Sequence, residues 1–214
     1  MLSLALFRRA SFSAANGIGF CLFASLFGAL FLMSQFFQIA QGRTPLQTGA
    51  ALLVWSAWGF IVAPAAARAA ARYGNRPFML AGLTLQAIGL GSLALTADQH
   101  TPYLELVPML ALSGIGSAMV FSTVAGEVMT SVDPDQIGIA SGTNNALREL
   151  GGVFGVAVLA TVFNRPGVYN SPDNFVAGFH SALWVAVAFA VLGVALTGFL
   201  KPTRSRVAEV ATAT

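Results

Sequence analysis

The sequence predicts an all-α integral membrane protein with six transmembrane helices. Of its 214 residues, 56% are hydrophobic and only 9% are charged. Soluble domains carry about 25% charged residues, so this chain has too little charge to keep a globule of its size in water. Five of the runs between charges exceed the roughly 20 residues that a helix needs to cross a bilayer. These runs are continuously apolar, whereas the strands of a membrane barrel are short and alternate in polarity, so helices are favoured.

The apolar runs define the order of the spans. We predict spans at residues 13–38, 45–67, 78–96, 104–124, 144–163 and 175–200, followed by a short cytoplasmic tail at 201–214. The fifth span is the exception, because its apolar part, 150–163, is too short alone and must extend upstream across Arg148 and Glu149. No cleavable signal peptide is expected, since the first run is far longer than the apolar region of about 7–15 residues in such a leader.

The basic residues predict the orientation of the bundle. One side of the predicted topology holds nine of them, namely Arg8, Arg9, Arg68, Arg72, Arg76, Arg148, Lys201, Arg204 and Arg206. The other side holds only Arg43 and Arg165. The positive-inside rule then places both termini in the cytoplasm. Because the arginines are scattered between apolar runs, the net charge of +3 indicates a lipid bilayer as partner and no nucleic acid.

The composition argues against several kinds of site. The single cysteine, Cys21, lies inside an apolar run, so neither a disulfide framework nor a metal site is expected. No glycine-rich phosphate-binding loop is present, and ATP-driven chemistry is therefore not expected. We predict no cofactor.

Polar residues within the fifth predicted span are the clearest functional candidates, because a charge at the bilayer centre costs at least about 2.5–3.5 kcal/mol. If the span begins near Asn144, Arg148 lies about one turn inside its edge. Arg148 can then act as a snorkelling cytoplasmic anchor or have a conformational or substrate-side role. Glu149 is turned by about 100° from Arg148, so it can reach Asn145 or another helix.

Two further sets of residues have more than one interpretation. Asn144 and Arg148 share a helix face with Gly151 or Gly152 and with Gly155, which fits a closely packed or cavity-facing stripe. Gln35 and Gln38, near the outer end of the first span, can form interhelical hydrogen bonds or line a substrate path.

Three segments together resemble one transporter family. Residues 38–49, QIAQGRTPLQTG, are similar to the outer connection Y-L-Q-x-x-x-G-x-S-P-x-Q-x-G of the fourteen-helix drug:proton antiporters of the major facilitator superfamily. Residues 63–77 resemble the superfamily's cytoplasmic loop motif G-x-x-x-D-R-x-G-x-R, with Arg72, Gly74 and Arg76 at motif positions and Arg68 at a variable position of the same conformational loop. Residues 138–152 are similar to the late signature A-S-G-x-x-N-x-x-R-Q-x-G-G.

The resemblance implies the C-terminal six helices of such a transporter. It implies proton-coupled efflux of small amphipathic or cationic-lipophilic compounds, with the proton acceptor on a missing N-terminal half. The chain is therefore expected to be partial and to pair with that half or with a second copy. The chain departs from the family at Ala67 and Ala71 in the loop motif, where glycine and aspartate are usual, and at Glu149, where glutamine is usual. The first two departures put a gating role of the loop in doubt.

Two other interpretations remain open at this point. One is a non-transporting membrane scaffold or an inactive fragment. The other is an intramembrane serine protease, which needs a serine and a histidine within hydrogen-bond reach. Ser141 lies near the cytoplasmic edge of its predicted span and His180 near the outer edge, roughly 20–30 Å apart, which argues against a protease and against an enzyme in general.

Overall fold

A computed structural model describes residues 4–164 and 167–200, and these residues form a bundle of α-helices. The helices are α1 (Ala10–Gln35), α2 (Pro45–Ser56), α3 (Trp58–Tyr73), α4 (Asn75–Thr96), α5 (Tyr103–Thr130), α6 (Ile137–Phe163) and α7 (Pro172–Leu196). A π-helical turn, Phe36–Ala40, extends α1, and short 3-10 turns lie at Leu4–Arg8, Pro134–Gln136 and Thr197–Phe199. No strand occurs within the described ranges.

Six stretches of this bundle are long and apolar enough to cross a membrane. They are Ala10–Ala40, Pro45–Tyr73, Asn75–Thr96, Tyr103–Thr130, Pro134–Phe163 and Asp173–Phe199. The predicted all-α fold with six membrane-crossing segments is confirmed. The second segment consists of two helices, because Ala57 interrupts the helix between α2 and α3.

The helix boundaries differ most from the predicted spans at the connection between the fourth and the fifth span. α5 continues to Thr130, beyond the predicted end at residue 124, and therefore includes Glu127. α6 begins at Ile137, seven residues before Asn144. Arg148 is thus about 16 Å along the helix from its first residue. Both differences arise because a charged side chain or a polar stretch ends an apolar run without ending the helix.

Connections alternate between the two ends of the bundle. At one end, here called the arginine-rich end, Arg9 forms an ion pair of 2.6 Å with Asp133 and donates a hydrogen bond to the Ser131 carbonyl. The turn between α3 and α4 lies at the same end, since Asn75 contacts the last turn of α5 through Glu127. Arg8, Arg68, Arg72 and Arg76 are exposed or partly exposed near this end, while Arg43 lies at the opposite end. Arg165, Lys201, Arg204, Arg206 and the tail 201–214 lie outside the described residues.

Glycine allows α4 and α5 to approach each other closely. A Cβ atom on Gly82 would lie 2.7 Å from the carbonyl oxygen of Gly116, and one on Gly89 would lie 2.8 Å from that of Met109. Small residues at helix contacts increase dispersion contact between backbones, which is important in lipid because burial of apolar side chains gives little drive for association. The close contact brings the backbones of α4 and α5 together, while α1 is the central helix and packs against α5, α6 and α7.

A capping box starts α2 at the opposite end. The Thr44 side chain accepts a hydrogen bond from the Gln47 amide, the Gln47 side chain accepts one from the Thr44 amide, and Pro45 occupies the first turn. Two otherwise unpaired amides are thereby satisfied.

We expect Thr44→Ala to destabilise the start of α2 by about 1 kcal/mol, because the cap acceptor is lost. Amide hydrogen exchange at residues 46–48 should accelerate roughly fivefold, while exchange in α4 stays unchanged. Thr161→Ala is the matched control, since the exposed Thr161 hydroxyl bonds only to its own helix, at Ala157. Unchanged exchange at residues 46–48 would contradict the capping role.

Candidate functional site: a polar groove between α5 and α6

A groove of about 400 Å³ lies between α5 and α6 in the half of the bundle near the arginine-rich end. Its lining residues are Ala125, Val128, Met129, Ser141, Gly142, Asn144, Asn145 and Arg148. The first three belong to α5 and the others to α6. The α5 wall is therefore apolar, and the polar atoms come from α6. We call this site the α5–α6 groove.

Arg148 is the charged residue of the groove. Its guanidinium carbon lies 4.3 Å from the ring centroid of Phe23 on α1 and 4.2 Å from that of Phe121 on α5. Such cation–π contacts contribute about 0.5–2 kcal/mol each, with the larger values in desolvated surroundings. Arg148 therefore bridges three helices inside the bundle.

The Arg148 side chain donates no hydrogen bond to any other residue that the structure describes. Its Nε atom is buried without a partner. The ion pair found among the described residues joins Arg9 to Asp133, and none involves Arg148. A guanidinium has five N–H donors. The groove thus presents an unpaired donor set with a full positive charge.

Asn144 lies one turn before Arg148 and is buried, with 5% of its surface exposed. Its Oδ1 atom has no hydrogen-bond partner in the described structure. Gly19 on α1 leaves room beside it, since a Cβ atom there would lie 3.6 Å from that oxygen and 3.4 Å from the Cγ atom of Arg148. A buried unpaired amide is unfavourable by roughly 1–3 kcal/mol, which makes it a candidate ligand contact.

The glycines of α6 place its polar face against α1. A Cβ atom on Gly151 would lie 2.5 Å from the carbonyl oxygen of Phe20, and one on Gly155 would overlap that of Ala24. A Cβ atom on Gly152 would lie 3.4 Å from the Phe27 ring. Close approach along this stretch fixes the rotation of α6, and this rotation directs Asn144 and Arg148 to the groove.

The structure brings together only some of the predicted substrate-path residues. Asn144, Asn145 and Arg148 line one groove. Glu149 is exposed and does not line it, which follows from its turn of about 100° relative to Arg148. Gln35 and Gln38 lie near the opposite end of α1, where the Gln38 amide donates to the Ser34 hydroxyl at 2.9 Å.

The predicted loop-motif residues lie on the surface of the turn between α3 and α4. Arg68, Arg72 and Arg76 are exposed, and Gly74 adopts φ = 88°, a left-handed conformation that favours glycine. The Arg68 side chain donates to the Pro64 carbonyl of its own helix at 3.2 Å. Ala71 occupies the position where an acidic residue would be expected, so this turn lacks a carboxylate at that site.

One buried acidic residue was missed by the sequence reasoning. Glu127 of α5 is 3% exposed, and its Oε2 atom accepts a hydrogen bond of 2.9 Å from the side chain of Asn75. The only sequence signal is its position at the end of a charge-free run, where a carboxylate at a span boundary looks the same. Its contact with the first residue of α4 connects the last turn of α5 to the turn after α3.

Comparison with known proteins decides the family. The sequence model of the Major Facilitator Superfamily matches residues 3–156, which is more than half of the chain. The chain belongs to the Major Facilitator Superfamily. As a major facilitator chain it is a multi-pass membrane protein of a transporter family, and not an enzyme.

Individual major facilitator relatives are similar over about three quarters of the chain. Multidrug resistance protein Stp of Mycobacterium tuberculosis is 35% identical over 162 residues, which cover 76% of this chain and 30% of Stp. Methylenomycin A resistance protein of Streptomyces coelicolor is 30% identical over 160 residues, which cover 74% of this chain and 33% of that protein. A tetracycline resistance determinant of Streptomyces rimosus is 27% identical over 163 residues, which cover 76% of this chain and 47% of the relative.

The chain therefore spans about a third to a half of the length of these relatives.

The protease interpretation is excluded by family membership and by geometry. Ser141 lies in the first turns of α6, near the arginine-rich end. His180 contacts the Ala97 carbonyl at the end of α4, at the opposite end of the bundle.

Proposed function

We propose that this chain is the C-terminal half of a fourteen-helix drug:proton antiporter in the bacterial cytoplasmic membrane, with both termini in the cytoplasm. It would work with an N-terminal half, which provides the proton acceptor, to export small amphipathic compounds. The resemblance of three segments to that antiporter type supports the proposal, as does the partial coverage of relatives named for drug resistance.

The α5–α6 groove is the observation that carries the proposal. A buried, unpaired Asn144 and an Arg148 without a carboxylate are unfavourable unless something else satisfies them. In a transporter that something is the substrate, bound between two halves that alternate in access. The groove would form one wall of the substrate path, and the other half would provide the facing wall and the proton acceptor.

A scaffold or an inactive fragment is the second candidate. It would leave the same groove empty at all times. Transport is favoured because a substrate would supply the acceptor that the buried Nε atom of Arg148 lacks among the described residues.

The proposal predicts that this chain alone gives no proton-coupled efflux. Expressed by itself in an efflux-deficient bacterium, it should leave the accumulation of ethidium and of fluorescein, an amphipathic cation and an amphipathic anion, at the level of the empty vector. Fused behind the part of Stp that precedes the matched region, it should lower the accumulation of at least one dye at least twofold, and a protonophore should abolish this effect.

Two outcomes would contradict the proposal. Protonophore-sensitive efflux by the lone chain would show that no other half is required. A fusion that is inserted at the level of Stp, yet exports none of the dyes and drugs that Stp exports, would favour the scaffold. The fusion with Thr161→Ala, an exposed change outside the groove, is the matched control for expression and insertion.

A further inference from the structure

The charge of the α5–α6 groove determines whether an anionic or a cationic compound binds there more favourably. Its lining includes Arg148 and no acidic side chain. Glu149, the nearest carboxylate in sequence, is exposed and lies outside the lining. The Glu127 carboxylate accepts a hydrogen bond from the Asn75 side chain. A cation entering the groove would meet a like charge at the partly buried Arg148. An anion would meet an opposite charge there.

The donors of Arg148 are also held in a fixed arrangement. Contacts with the rings of Phe23 and Phe121 hold the guanidinium while leaving its N–H groups without protein partners. A planar guanidinium is suited to two parallel hydrogen bonds to a carboxylate or sulfonate. Because its orientation is already restricted, little further conformational entropy is lost when an anion binds.

The surroundings of the guanidinium favour an aromatic body on the ligand. Phe121 precedes the lining residue Ala125 by one helical turn and is 45% exposed, so its ring adds apolar surface next to the groove. The opposite wall, Ala125, Val128 and Met129, is apolar. The unpaired Oδ1 atom of Asn144 accepts hydrogen bonds, so it suits a hydroxyl or N–H group on the aromatic body and not the anionic group. A volume of about 400 Å³ is in the range of pockets for small organic ligands.

We propose that the α5–α6 groove binds a planar aromatic anion, with the Arg148 guanidinium donating hydrogen bonds to the anionic group and the Asn144 Oδ1 atom available to a donor elsewhere on the compound. This inference rests on the proposed transport function for its physiological meaning, and it gives that function a substrate class. It replaces the expectation of cationic-lipophilic compounds, for which this groove has the wrong charge. The shared chemistry of the ligand, an anionic group, is also that of an acidic lipid headgroup, so the experiment must separate the two.

Binding can be measured without transport. The full chain is placed in nanodiscs of zwitterionic phosphatidylcholine, and equilibrium dialysis is carried out with 2-naphthoate and with its matched cation, 2-naphthyltrimethylammonium, after subtraction of empty discs. The wild-type chain should bind naphthoate at least about tenfold more tightly than the cation, since a charge-assisted pair replaces a repulsion.

Two substitutions test the residues. Arg148→Gln should weaken naphthoate binding about tenfold or more and remove the preference over the cation. Asn144→Asp, which keeps the size of the side chain, should offset the charge of Arg148, so naphthoate should bind more weakly and the cation more tightly. Arg72→Gln removes an exposed arginine outside the groove and should change neither affinity. Helix content by circular dichroism is compared for all four proteins.

Several results would overturn the inference. Equal affinity of the wild-type chain for the two probes would do so, as would unchanged naphthoate binding in Arg148→Gln. If addition of phosphatidylglycerol to the discs suppresses naphthoate binding in the wild-type chain, the groove belongs to a lipid headgroup. Failure of naphthoate binding with a fusion that still exports dye would refute the anion site alone, whereas binding without any export would refute the transport function alone.

Discussion

Replacing Gly155 with alanine should destabilise the bundle by about 3 kcal/mol, at the upper end of the usual effect of overpacking, and in the unfavourable case prevent its assembly. The added Cβ atom would overlap the carbonyl oxygen of Ala24, which belongs to the backbone of the central helix α1. A flexible side chain could move aside, but a helix backbone cannot do so locally. α1 and α6 would have to separate along their whole contact.

The matched control for Gly155→Ala lies on the same helix. Gly138→Ala adds the same methyl group where no atom lies within 4 Å, so its stability should change by less than about 1 kcal/mol. Unfolding can be followed by tryptophan fluorescence during titration of micelles with dodecyl sulfate. Gly151→Ala, with its Cβ atom 2.5 Å from the Phe20 carbonyl oxygen, should behave like Gly155→Ala. Equal stability of the Gly155 and Gly138 variants would show that the close helix contact is not required.

Replacing Asn75 with alanine should leave the buried Glu127 carboxyl group without its hydrogen-bond partner. The expected loss of stability is about 1–3 kcal/mol, because a buried polar group that loses its partner keeps the full desolvation penalty. The loss should be concentrated where α4 and α5 meet at the arginine-rich end. Hydrogen exchange of amides 126–130 should therefore accelerate more than exchange near Gly89, which lies in the middle of the same helix pair.

A double variant distinguishes this hydrogen bond from simple packing. Asn75→Ala with Glu127→Leu replaces both partners by apolar groups, so it should recover much of the stability that Asn75→Ala alone loses. Thr84→Ala, an exposed residue of α4 bonded only to its own helix at Leu80, is the control. If the double variant is no more stable than Asn75→Ala, the Glu127 contact contributes nothing that depends on its charge or polarity.

Charge spacing was sufficient to predict five of the six membrane-crossing segments, because a bilayer accepts only long, internally bonded apolar helices. The segment that contains Arg148 required an extension across two charged residues. Charge spacing was not sufficient to place Glu127. A carboxylate at the end of a span and a carboxylate packed inside the bundle interrupt an apolar run in the same way. Which of the two applies depends on whether a partner such as Asn75 is nearby, and that depends on tertiary contacts.

The candidate site was predictable in part for a related reason. Three- and four-residue spacing indicates that Asn144, Arg148 and Gly155 share one face of α6. The spacing does not tell which helix that face meets. The contact with α1, and the rings of Phe23 and Phe121 next to Arg148, come from residues far away in the sequence. Their runs are uniformly apolar, so the sequence gives no indication of how these helices are rotated.

The position of the rings around Arg148 also has a consequence for biosynthesis. Phe23 and Phe121 belong to α1 and α5, which precede α6 in the chain. The ribosome therefore completes both ring-bearing helices before Arg148 is made. An arginine entering lipid alone would oppose release of its helix from the translocon, by about 2.5–3.5 kcal/mol on insertion scales. Here Phe23 and Phe121 are already in the membrane when α6 is inserted, so Arg148 can contact their rings as its helix enters the bundle.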